Sequence, residues 1–172
     1  MKVVFDASFL AILFNPKSSA SVARAPERID GLIERLSTKK DKIVIPTPAL
    51  AEILVSLAKN GPTYIEKLKE FTCFQIRPFD ERAAVEFGAA IQARKNKAKR
   101  DTLKSLSQNK VKFDHQIIAI AKVQGAQIVY SDDTQLRAFA KECGMDARGL
   151  ADVPIPMKQL ALAEGGQESS GA

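Results

Sequence analysis

The chain alternates short apolar runs with longer stretches in which apolar residues recur every three or four positions. Val3-Val4-Phe5 is an unbroken β-branched and aromatic run, the mark of a strand buried on both faces. Lys42 to Ile45, Cys73 to Ile76 and Gln127 to Tyr130 read as further strands. Val153-Pro154-Ile155 reads as a short edge strand, where proline is tolerated. Helical spacing is clearest from Pro26 to Leu36, with Ile29, Leu32, Ile33 and Leu36 inward and Glu27, Arg28, Glu34 and Arg35 toward water. A short apolar helix spans Ala7 to Leu13. Another runs from Ala49 to Lys59, with Thr47 as its cap, Pro48 at its first position and Asn60-Gly61-Pro62 as its stop. Tyr64 to Phe71, Asp80 to about Ala98, and Thr134 to Cys143 complete the pattern, with a helix that Asp114 starts and Gln124-Gly125 closes.

Strands that alternate with helices predict an α/β fold with a parallel sheet covered on both sides. Right-handed crossovers then bring every strand-to-helix turn to one edge, the edge at which such sheets bind ligands. The expected organisation is one domain over residues 1–157, followed by a Gly/Ser-rich tail, 158–172, expected to be disordered.

Composition narrows the class. With 172 residues, 45% of them hydrophobic and 27% charged, the chain is an ordinary globular sequence. No apolar run approaches the ~20 residues that span a bilayer, and Asp6 interrupts the first run, unlike a secretory signal. Cys73 and Cys143 lack the spacing of a zinc site or a disulfide framework. A cytoplasmic protein is expected. The net charge of +6 favours an anionic partner, nucleic acid before membrane.

Candidate chemistry lies in the acids that the strand order sends to one edge. Asp6 ends the first strand, Glu52 lies one turn into the helix after the second, Asp114 opens a helix, and Asp132 and Asp133 follow Ser131 after the fourth strand. Singly, each has an ordinary explanation as a helix cap or a solvated side chain. Glu52 resists it most, because Ala49-Leu50-Ala51-Glu52-Ile53-Leu54-Val55 is apolar on nearly every side and an unpaired carboxylate there is costly. Together, carboxylates gathered within several ångströms require a proton or a cation. Oxygen-only ligation suits Mg²⁺ or Mn²⁺, which also bind phosphate oxygens and activate water.

In order and spacing, Val3-Val4-Phe5-Asp6-Ala7-Ser8, the Glu52 helix, Phe113-Asp114 and Ile128-Val129-Tyr130-Ser131-Asp132-Asp133 resemble the PIN-domain nucleases. That family includes the toxins of many toxin–antitoxin pairs. The resemblance implies a three-layer α/β/α sandwich around a parallel sheet and Mg²⁺- or Mn²⁺-dependent cleavage of RNA. It implies Asp6, Glu52, Asp114 and Asp133 as catalytic metal ligands, with Asp132 as a neighbouring candidate and Ser8 and Ser131 supporting them. It also implies an antitoxin partner and a homodimer.

Arg94, Lys95, Lys97, Lys99, Arg100, Lys104, Lys110 and Lys112, offset only by Asp101, form a basic segment leading into Asp114. It reads either as a solvated helix face or as an arm that holds an RNA backbone. Aromatic residues are nearly absent from it, so base stacking is not indicated there. His115 reads as structural or as a support behind the acids rather than as a general base, and both cysteines as core residues. Other folds with a strand ending on an acid fit less well. A haloacid-dehalogenase phosphatase needs a second aspartate where Ser8 stands, and a receiver domain has no counterpart to Glu52. The rival of another class is an RNA-binding or assembly module without catalysis.

Overall fold

A computed structural model of the chain describes residues 1–15, 22–57, 61–97 and 108–156; of these, the side chains of 95–97 and 108–112 are not described. Five strands, β1 (Lys2–Phe5), β2 (Lys42–Pro46), β3 (Phe74–Arg77), β4 (Ile128–Tyr130) and β5 (Asp146–Arg148), form one sheet. Its order is β3-β2-β1-β4-β5, and every pairing is parallel. The chain builds outward from β1 to β3, then crosses back to lay β4 on the other side of β1. The strand order therefore reverses between β1 and β4, which opens a crevice beyond their carboxyl ends.

Seven helices cover the sheet: α1 (Ala7–Phe14), α2 (Ala25–Thr38), α3 (Thr47–Leu57), α4 (Gly61–Glu70), α5 (Glu81–Lys97), α6 (Gln108–Val123) and α7 (Thr134–Glu142). The period-two geometry of a strand sorts side chains between two cores. Val3, Phe5, Ile43, Ile45, Ile128 and Tyr130 join α1 and α2 residues in one. Val4, Val44 and Val129 join Ile117, Ile118, Ile120, Leu136 and Phe139 of α6 and α7 in the other. This is the expected three-layer sandwich. The first core is centred on rings: Phe5 lies 5.3 Å from Phe9, 5.7 Å from Tyr130 and 6.4 Å from Phe74, centroid to centroid.

Most elements fall where the hydrophobic pattern puts them, and three expectations need correction. The edge strand is Asp146–Arg148, not Val153–Ile155. Gly144, at φ +80°, turns the chain out of α7 into it. Its exposed Asp146 and Arg148 hide the strand signal, because only Ala147 is buried. The carbonyls of Ala151 and Val153 accept from Arg28 of α2 instead of joining a ladder. Thr47 is the first helical residue of α3 rather than its cap, and its hydroxyl accepts from Phe79 N at 3.3 Å. Asp114 does not start a helix. No glycine or proline interrupts Gln108 to Phe113, so α6 begins six residues earlier and Asp114 lies in its interior. The tail from residue 158 and the arm residues Lys99, Arg100 and Lys104 lie outside the described residues. Among the described residues no helix is long and apolar enough to cross a membrane.

Candidate active site

The crevice between β1 and β4 is built around Asp6. The residue caps α1, its Oδ1 accepting from Ser8 N at 2.9 Å and Phe9 N at 3.2 Å. Two hydroxyls also donate to it. Ser8 Oγ reaches Oδ1 at 2.6 Å, and Ser131 Oγ reaches Oδ2 at 2.5 Å. Each hydroxyl in turn accepts a backbone N–H from beyond β4: Ser8 from Asp132 at 2.9 Å and Ser131 from Asp133 at 2.9 Å. The two serines thus clasp the end of β1 to the end of β4 through one carboxylate.

Asp6 is 5% exposed, and burial pushes its carboxyl up to about 6 despite four donors. Desolvation is the larger influence, so the acid is poised near neutrality by its depth in the fold. Oδ2 accepts from Ser131 and, having two lone pairs, retains capacity for another partner.

Beyond β4 the two aspartates part company. Asp133 caps α7, accepting from Gln135 N at 2.8 Å and Leu136 N at 3.2 Å, and lines the crevice. Asp132 Oδ1 accepts from Leu150 N at 2.7 Å and ties the turn after β5 to the sheet. Glu52 and Asp114 complete the picture from α3 and α6. Glu52 is exposed, along with Ala51, Val55 and Ser56, while Pro48, Ala49, Leu50 and Ile53 form the buried face of α3. The expected apolar surroundings of Glu52 are therefore absent: part of that apolar sequence faces solvent, where a carboxylate carries no burial cost.

All four remaining acids, Asp6, Glu52, Asp114 and Asp133, line a single cleft of about 670 Å³. No lysine or arginine is among the described residues lining it. Asp114 lies in a helix interior, where it cannot serve as an N-cap, and that removes the capping explanation. The donor set is carboxylate and hydroxyl oxygen throughout, which fits a hard divalent ion. Among the described residues no group of three or more acids, histidines or cysteines stands close enough to enclose an ion. The acids share a cleft without forming a finished coordination shell.

Arg94 of the basic segment and His115 are placed elsewhere. Arg94 Nε meets Glu142 Oε2 at 3.2 Å, Nη1 lies 3.3 Å from His115 Nε2, and its guanidinium stacks 4.8 Å over Phe139. Arg94 therefore braces α5 against α6 and α7. His115 is 2% exposed, packs 4.0 Å from the Phe139 ring and does not line the cleft, as a structural residue would. Lys95, Lys97 and Lys112 are on α5 and α6, but their side chains are not described. Burial raises both thiols, Cys73 in the core and Cys143 at its margin. The hydrogen bond from Asp132 N to Ser8 Oγ and the exposed Val55 and Phe113 at the cleft were not foreseen. Only Phe113, adjacent to Asp114, offered a sequence signal.

No curated protein matches the chain. Solved structures do. VapBC2 from Rickettsia felis, bound to a DNA fragment from their promoter, shares 16% identity over 87% of this chain and 98% of its own, with a TM-score of 0.57. DNA-bound VapBC from Salmonella typhimurium shares 17% over 87% and 98%, at 0.56. VapC20 from Mycobacterium tuberculosis, a sarcin-ricin loop cleaving toxin, shares 18% over 79% and 93%, at 0.50. At such identities the likeness is one of fold. The family model of the PIN domain matches residues 3–142, the span from β1 to the end of α7 that carries all four acids of the cleft. The chain belongs to the PIN-domain family.

Proposed function

We propose that the chain is a metal-dependent endoribonuclease in which Asp6, Glu52, Asp114 and Asp133 hold one or two divalent ions. The observation that carries this reading is that four acids from four separate chain segments line one cleft at the point where strand order reverses. Bound Mg²⁺ or Mn²⁺ would supply an activated water and stabilise the leaving oxygen of a phosphodiester. The chain's part is positional. Ser8 and Ser131 orient the Asp6 carboxylate and lock it to the β4 turn, which also sets where Asp133 stands. Asp132, engaged with Leu150, keeps that turn in place instead of ligating.

RNA as substrate is supported by the family, the net charge of +6, and the sarcin-ricin loop cleavage named for VapC20. Lys95, Lys97, Lys99, Arg100 and Lys112 remain the proposed arm for the RNA backbone, without Arg94. The VapBC neighbours support a toxin role with an antitoxin partner. A homodimeric state and a cytoplasmic location belong to the same reading on the family resemblance. Incubating single-stranded and structured RNA with the protein, with and without Mn²⁺, tests the reading. Mn²⁺-dependent fragments absent from Asp6→Asn are expected. Binding without cleavage at any metal concentration would move the chain to the class of RNA-binding modules.

A further inference from the structure

The chain has nine phenylalanines, and all but one have an aromatic partner among the described residues. Phe5, Phe9 and Phe74 pair in the first core, Phe14 with Tyr64, Phe71 with Phe74, Phe79 with Phe87, and Phe139 with His115. Phe113 enters none of these ring pairs. It is 47% exposed, lines the acid cleft and stands immediately before Asp114. Val55, 84% exposed, and exposed Ala51 line the same cleft from α3. Large apolar groups left in water at a cleft mark a place where something apolar is received.

We infer that Phe113 is a base-stacking platform, which makes an unpaired nucleotide the unit this cleft accepts. The inference rests on the nuclease reading for what happens next to it. A nucleotide is amphipathic: its phosphate suits the cation-binding acids, whereas its base offers a flat apolar face. The cleft has the same division, with Asp114 and Phe113 consecutive on α6. A base reaches such a ring only when its faces are not occupied by neighbours in a duplex, so single-stranded RNA or loops are selected over helices. The stack tolerates any base, since each has a π-face, and thus fixes the strand without reading its sequence.

The test is the binding of two labelled ten-nucleotide probes, single-stranded oligoadenylate and an abasic ribose-phosphate chain of equal charge. Fluorescence polarisation is measured in Ca²⁺, and hydrolysis of the first probe is followed in Mn²⁺. Phe113→Ala and Phe113→Leu should bind oligoadenylate roughly 5- to 150-fold more weakly, the effect of losing one base–aromatic stack. Phe113→Tyr should retain affinity, and all three should bind the abasic chain as the parent does. Unchanged oligoadenylate affinity in both Ala and Leu variants would overturn the inference and return the ring to a protein contact. Equal losses on both probes would also overturn it, by making Phe113 a structural residue. Parent protein that binds neither probe refutes it as well. Phe113-dependent binding without hydrolysis would sustain stacking and refute the nuclease; hydrolysis indifferent to Phe113 would do the reverse.

Discussion

Asp6 concentrates the chemistry of the site in a single carboxylate. Its carboxyl is raised from the ordinary 3.8 to about 6, so the folded protein holds a proton that the unfolded chain has released between those values. Stability without metal should therefore fall as pH rises through that window, by about 3 kcal/mol. Below pH 4 this contribution is fully present; above pH 6 it is lost. Asp6→Asn removes the titration while keeping a capping side chain. Urea unfolding at pH 4 and pH 7 in EDTA should show a slope in the parent that the variant flattens.

The aspartates after β4 make a second contrast at the same scale. Asp132→Ala leaves the Leu150 N–H without its acceptor and should cost about 1–3 kcal/mol of stability, with Mn²⁺ affinity kept. Asp133→Asn still caps α7 and should fold normally, yet lose Mn²⁺ affinity. Calorimetric titration of both variants separates the roles, and equal losses of affinity would contradict the division. The sequence carried both acids to the right turn. The resemblance ranks Asp133 first, but the residues alone do not assign the pair, because adjacent side chains diverge and only the β5 turn, 18 residues on, shows how Asp132 is engaged.

Among the elements, α3 and α6 show how periodicity succeeds and where it stops. The buried faces of both helices follow from their apolar spacing, and the cleft itself does not. In one dimension Glu52 reads as confined, because Ala51 and Val55 stand near it, yet these residues border an open site, and apolar residues at a site mimic a core. Asp114 looked like a cap because the lysines before it resembled a loop, although lysine and glutamine are good helix formers. Arg94 looked like part of a basic face until the fold brought Glu142 and Phe139 to it from α7. The rest of that arm keeps its prediction. Replacing Lys97, Lys99 and Arg100 with Gln should weaken RNA binding across sequences and reduce the salt slope by about 0.7 for every phosphate that is no longer neutralised. Affinity and slope equal to the parent's in a salt titration would return the segment to a solvated helix face.

For the whole molecule, the layer order was legible because β1, β2 and β4 are buried on both sides and helices such as α2 have one apolar face. The strand sequence β3-β2-β1-β4-β5 was not written in any local pattern, yet it decides that Asp6 and Asp133 line one cleft at the reversal point. Only non-local pairing, such as Val4 beside both Val44 and Val129, fixes that outcome. The central claim is that the four acids of this cleft act as one unit, and unit behaviour has a kinetic signature. Residues that serve a single step are strongly non-additive, so a second loss adds little to the first. The decisive measurement is the Mn²⁺-dependent hydrolysis rate of single-stranded RNA by Asp6→Asn, Asp114→Asn and the double variant. Each single change should abolish nearly all activity, with the double no slower than either. A single variant of full activity, or losses that multiply in the double, would contradict a shared site.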